Sequence, residues 1–276
     1  MSGTVVGKRD LILDRLWRRA EAQPKDPALL SRAQSGGFAA LSWAEYRDQV
    51  QTLAAAFVAD GVPVGGAVAL VSDNRYEWLI GALGAQAAGA MAVGVYQTST
   101  AEQVAYILRH SESLVGVLDT PSQWRKVKQH LGSLPKLRRL VLLDGLATLS
   151  EEERAIQSPA GGALLTDWAG LLKSAEGHRD AAAERLAGLL PDQIATIIYT
   201  SGTTGDPKGV MLSHLNLSWT ASAALKVHHA DERDAIVSYL PLSHIAEQMF
   251  SVYLPITAGT RVYFAGGLDK LRETLL

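Results

Sequence analysis

The sequence predicts an α/β protein of mostly parallel sheets covered by helices. Three observations predict it. Short apolar runs such as Ala67–Val71 and Leu114–Leu118 alternate with segments whose apolar residues recur at helical spacing. Capping signals mark where those helices begin. Parallel neighbours need a crossover to bring the chain back, and a helix at each step supplies it.

Element by element, the first clear signal is a capping box at Ser42 and Glu45. Tyr46, Val50, Leu53, Ala54 and Phe57 follow at helical spacing until Gly61 stops the run. The strand at 67–71 comes next. The stretch Trp78–Tyr96 is uncharged and of membrane-spanning length, but it is mostly alanine and glycine, which gain little by entering lipid. It reads as a buried helix ending at Gly89 and a buried strand from Met91 to Val95. A second capping box, at Ser99 and Glu102, opens a helix to His110. The strand 114–118, a helix around Trp124 and a strand at 138–143 follow.

From Asp144 to Asp192 the alternation loosens, and 144–192 reads as a helical excursion on the surface. Order returns with the β-branched strand Ile194–Thr200, a glycine-rich loop, an apolar segment and a helix from about Asn216 to His228. The unit 194–217 frames the loop. A strand at 235–240, a helix from Ser243 and the strand Arg261–Phe264 come last. In the final residues, Leu268, Leu271, Leu275 and Leu276 share one helical face with no cap, so the sequence is expected to stop inside an element.

Composition narrows the function. A chain of 276 residues can bury a full core without disulfide or metal staples. The 26 basic and 28 acidic residues give no positive field for nucleic acid, so no nucleic-acid partner is expected. With no cysteine there is no thiolate nucleophile or Cys-ligated metal, which fits a reducing cytoplasm. Near the N-terminus, Leu13, Leu16, Trp17 and Ala20 oppose Arg15, Arg18 and Arg19. That face suits packing on its own domain, and also a peripheral contact with the inner face of a membrane. The six tryptophans are spread through amphipathic segments and read as core or interface packing.

The informative segment is Thr200–Gly209, Thr-Ser-Gly-Thr-Thr-Gly-Asp-Pro-Lys-Gly, directly after a strand. A phosphate needs close backbone donors, small residues, hydroxyls and a positive charge. Gly202, Gly205 and Gly209 give access, Thr200, Ser201, Thr203 and Thr204 give hydroxyls, and Lys208 gives the charge. It is not the common P-loop, because Pro207 and Gly209 stand where glycine and a magnesium-binding hydroxyl would be needed. Ser201 lacks the nucleophile elbow of a hydrolase, and the seven histidines form no metal-ligand pattern. No protein-only metal site is expected.

The run Tyr199–Leu217 resembles the signature loop of the adenylate-forming superfamily, whose members activate a carboxylate with ATP and release pyrophosphate. The resemblance implies that Thr200, Ser201, Gly202, Thr203, Thr204, Gly205 and Lys208 hold the ATP phosphates, with Lys208 also catalytic. Ser238–Gln248 is similar to the superfamily's next motif, bordering the acyl pocket, and carries His244 into the site, with Glu247 a weaker candidate. His244 also suits a plain capping role. Val93–Ser113 resembles the long-chain fatty acyl-CoA synthetase branch.

The resemblance thus implies ATP, Mg2+ arriving with ATP, CoA as co-substrate, a fatty acid substrate, and the N-terminal portion of the adenylate-forming fold. The family's adenine, ribose and hinge segments and its lysine-bearing C-terminal domain have no counterpart in 1–276. The expectation is an N-terminal AMP-binding unit of a long-chain fatty acid-CoA ligase, inactive alone and needing a C-terminal half or partner chain. The alternative is a non-catalytic nucleotide- or acyl-binding fragment, or one half of a split enzyme.

Overall fold

The computed structural model describes residues 9–33, 35–200, 206–267 and 270–275. Two sheets organise the chain. Seven strands form the larger one in the order β7-β6-β5-β3-β4-β8-β9, with β3 Ala67–Val71, β4 Met91–Val95, β5 Ser113–Leu118, β6 Arg139–Leu142, β7 Leu165–Asp167, β8 Ile194–Thr200 and β9 Lys208–Ser213. Every pairing is parallel except the β8–β9 hairpin. The smaller sheet runs β10-β11-β1-β2, from β10 Ala235–Ser238, β11 Arg261–Phe264, β1 Pro27–Arg32 and β2 Phe38–Ser42. There β1 runs parallel to β11 and antiparallel to β2.

The central strands are apolar throughout because both faces are covered. Val68, Leu70, Ala92, Val115 and Val117 face one core, shared with α1 Ile12–Ala22, α2 Trp43–Ala59, α3 Tyr76–Ala87 and α9 His214–His228. Ala69, Val71, Val93, Val95 and Leu118 face the other, under α4 Ala101–His110 and α5 Pro121–Lys128. Helix α3 is buried from Glu77 to Ala87 and ends at Gly89, whose φ of 78° only glycine adopts freely. Trp78–Tyr96 is therefore a core helix and strand. No helix among the described residues is long and apolar enough to cross a membrane.

Helix α1 buries Leu13, Leu16 and Ala20 against its own domain. The face considered for membrane contact is thereby occupied. The Ser42–Glu45 box forms as expected, with Glu45 N–H donating to Ser42 Oγ and the carboxylate accepting from Ser42 N–H. The second box lies one residue later than expected: Thr100 caps α4 and Gln103, not Glu102, reaches back. Threonine and glutamine fit the same motif, and the register of α4 over its core face decides between them.

Segment 144–192 differs from the expected surface excursion. It holds α6 Glu151–Arg154, α7 Trp168–Lys173 and α8 Arg179–Ala187, and it also supplies β7, an edge strand of the larger sheet. Leu164, Leu171 and Ala182 are buried, and α8 packs on α2. Helix α9 starts earlier than Asn216 suggested, because Ser213 is its cap and Asn216 the reciprocal partner. The helix after Ser243 is α10 Ile245–Gln248, a π-helical turn over Met249–Tyr253, and α11 Leu254–Ala258. Pro255 lacks an N–H and crowds the carbonyl four residues back, which accounts for the widened turn. The last element is α12 Leu271–Leu275; Leu268 and Leu276 of its expected apolar face lie outside the described residues. Trp43, Trp78 and Trp124 fill the core, whereas Trp219 is 69% exposed.

Candidate active site

Ligands in open α/β sheets bind beyond the carboxyl ends of the strands. Both sheets bring those ends together here. Strand β8 ends at Thr200 and β9 begins at Lys208, and the two residues are register partners across the hairpin. Lys208 is solvent-exposed. The hydroxyl and glycine positions Ser201, Gly202, Thr203, Thr204 and Gly205 lie outside the described residues. The described ends fit an anion, because Thr200 and Lys208 place a hydroxyl and a charge side by side at the open edge.

The base of the hairpin is fixed from below. Tyr199, one residue before Thr200, has its phenol 2.7 Å from His110 Nδ1, and Tyr106 stacks on that imidazole. Burial, then the neighbouring Tyr106, pushes the Tyr199 phenol up to about 12, so it stays protonated. Strand β4, beside β8, runs out into a turn whose Gln97 carbonyl accepts Lys126 Nζ at 2.6 Å and Gln123 Nε2 at 3.1 Å.

The second motif folds over these ends. Between β10 and α10 the chain has no ladder partner, and Asn74, just past β3, reaches across to it. Asn74 Nδ2 donates to Ser238 Oγ at 2.9 Å and the Leu240 carbonyl at 2.6 Å, while its Oδ1 accepts Leu242 N–H at 3.1 Å. Ser243 sits directly over β4. An added Cβ at Gly94 would come 2.9 Å from Ser243 Cα, and Gly94 is the register partner of Ile198, two residues before Thr200. Ser243 Oγ and Trp78 Nε1, both next to Gly94, are buried without hydrogen-bond partners.

His244 takes the capping role: exposed, it accepts Ala246 N–H on Nδ1 at 3.1 Å and starts α10. That leaves Nε2 facing away from the cap. Glu247 is more deeply engaged than its sequence signal implied, being 3% exposed and bonded to four donors. Between the sheets opens a cleft of about 760 Å3, bordered by Arg32, Asn74, Gln97, Ser238, Tyr239 and Gly266. Among the described residues no group of three or more His, Asp or Glu is placed to hold a metal ion. Sequence reasoning missed Asn74 and the Tyr199–His110 pair; the polar run after the wholly buried β3 was the available sign of the former.

A protein-family model described as AMP-binding enzyme matches residues 16–276, and the chain belongs to that family. Its curated relatives include long-chain-fatty-acid–CoA ligase ACSBG2 of Xenopus laevis, 34% identical over 255 residues that cover 91% of this chain and 33% of the relative. The long-chain-fatty-acid–CoA ligase heimdall of Drosophila melanogaster is 34% identical over 245 residues, 87% of this chain and 34% of the relative. Among solved structures, a Mycobacterium tuberculosis fatty acyl CoA synthetase superposes with a TM-score of 0.74 at 21% identity, covering 96% of this chain and 47% of that one. The fold is thus that of adenylate-forming enzymes. The chain spans about a third of the length of the curated relatives it matches.

Proposed function

We propose that this chain forms the phosphate-binding and acyl-facing part of an ATP-dependent, AMP-forming long-chain fatty acid-CoA ligase acting in the cytoplasm. In that reaction a fatty carboxylate attacks the α-phosphate of ATP, pyrophosphate leaves, and the CoA thiol then displaces AMP from the acyl-adenylate. ATP would bring Mg2+, which offsets phosphate charge. The observation that carries the reading is the apposition of Thr200 and Lys208 at the strand ends, two residues along β8 from the position that pairs with Gly94 under the Ser243–His244 turn. Phosphoryl chemistry of this kind relies on positioning and charge neutralisation more than on covalent catalysis. Lys208 and the loop amides of Ser201–Gly205 would offset charge on the leaving pyrophosphate, and His244 would border the fatty carboxylate.

The test is ATP–pyrophosphate exchange driven by a long-chain fatty acid, comparing the complete enzyme with its Lys208→Met variant. Loss of one preorganised charge donor typically lowers such rates about 10²- to 10³-fold. An unchanged exchange rate would falsify the assignment of Lys208. A second reading has its own support, since the chain matches only about a third of each relative. On that reading it binds nucleotide or acyl chain without catalysing, or acts with a partner chain. ATP binding by calorimetry, without exchange until the remaining segment of a relative is supplied, would favour it.

A further inference from the structure

The connection Ser238–His244 leaves β10 at the carboxyl edge with no strand or helix to hold its backbone, yet it carries Tyr239, half exposed, and His244. Irregular backbone beside a cleft usually means a mobile lid. Here side chains from three directions oppose that, Glu247 foremost. Glu247, in the helix that follows, turns back and accepts Tyr239 N–H at 3.2 Å and Leu240 N–H at 3.3 Å. It also accepts the hydroxyls of Ser238 and Ser251, each at 2.6 Å. Three of these donors meet on Oε1 and the Leu240 N–H alone takes Oε2, so both oxygens of the carboxylate are engaged. On the far side, Asn74 holds Ser238, Leu240 and Leu242, and Gln248 Nε2 donates to the Leu242 carbonyl at 2.9 Å.

We infer that Glu247 is a positioning residue whose carboxylate makes the 238–244 connection a fixed wall of the cleft, and so sets where a fatty carboxylate meets Tyr239 and His244. The acyl half of this inference rests on the proposed function; the rigid wall does not. A glutamine at the same position, keeping its oxygen on the three donors at Oε1, would aim its NH2 group at Leu240 N–H and leave that amide without its acceptor. The neutral oxygen would hold Tyr239 N–H and the two hydroxyls more weakly than a carboxylate does. The connection would then loosen while the sheets beneath it stayed packed.

The experiment is amide hydrogen exchange on wild type and Glu247→Gln, with binding of a fluorescent long-chain fatty acid and of ATP measured on the same samples. Expected in the variant is a loss of protection of about tenfold or more at Tyr239 and Leu240, with the β3 and β8 amides unchanged. Fatty acid affinity should fall about tenfold and ATP affinity stay within about twofold, a split that a general loss of stability would not produce. Unchanged protection at Tyr239 and Leu240 overturns the wall. A loss of protection with parallel losses in both affinities overturns the positioning role. If the wall loosens as expected but wild type binds no fatty acid, the acyl reading is what fails. Should Glu247→Gln not fold, Ser251→Ala removes one donor from the same carboxylate and is read in the same way, with smaller effects.

Discussion

His214 makes the fold measurably sensitive to acid. It opens α9 just after the Ser213 cap, is 1% exposed, and its Nε2 has no hydrogen-bond partner. Burial first, then the nearby Arg9 guanidinium, lowers its pKa from 6.5 to about 4, against a smaller opposing pull from Asp14. Arg9 is tied in place by Asp14 at 2.7 Å and by the carbonyls of Leu186, Ala187 and Leu189. Between about pH 6.5 and about pH 4 the unfolded chain binds a proton at this site that the folded chain refuses. Stability is therefore complete above the unfolded value and falls as the pH drops through this window. The full shift is worth roughly 3 kcal/mol, of which about 2 kcal/mol is lost by about pH 5. Against a total of about 5–15 kcal/mol for a domain, that is large enough to read. Urea unfolding followed by circular dichroism at about pH 7 and about pH 5 measures it in wild type and in His214→Leu, which keeps the volume and removes the titration. The wild type should lose about 2 kcal/mol more than the variant between the two conditions. Equal losses in both proteins would refute the argument.

Three other substitutions test details of the structure. Thr100→Ala should cost about 1 kcal/mol in chemical denaturation and Ser99→Ala much less, since Thr100 supplies the cap of α4; the reverse order would restore the earlier register. Gly94→Ala brings a Cβ within 2.9 Å of Ser243 Cα and 3.3 Å of the Trp78 ring, so it should cost about 1–3 kcal/mol and weaken fatty acid binding; a neutral melt would show that the turn does not press on β4.

The parts of this molecule that local chemistry dictates could be read in advance. Ala67–Val71 is apolar at every position, and only a strand covered on both faces asks for that. Gly89 marks the end of α3 because positive φ is a local demand. The proposed phosphate loop is local in the same sense, since glycines, hydroxyls and a lysine fall within ten consecutive residues. Segment 144–192 was harder. The strand β7 is three residues long, too short for any period to show, and it exists only because β6 leaves an open edge beside it. Leu164 and Leu171 are core residues by virtue of that placement, not of their neighbours in sequence.

The same distinction separates the two halves of the candidate site. Lys208 stands out in the sequence, since a lysine after glycines and hydroxyls is the pattern a phosphate site would need. Asn74 does not: it is one polar residue in a polar turn, and its three bonds to a segment 164 or more residues away exist only once both sheets are stacked. Glu247 lies between these cases. Its partners are close in sequence, from Ser238 to Ser251, but they converge because β10 ends, the chain reverses, and the π-turn set by Pro255 brings Ser251 onto the same carboxylate. The hairpin that carries Lys208 is thus local in origin and the connection that carries His244 tertiary. A substitution that loosens the packing between the sheets should therefore disturb the His244 side before it disturbs the hairpin that carries Lys208.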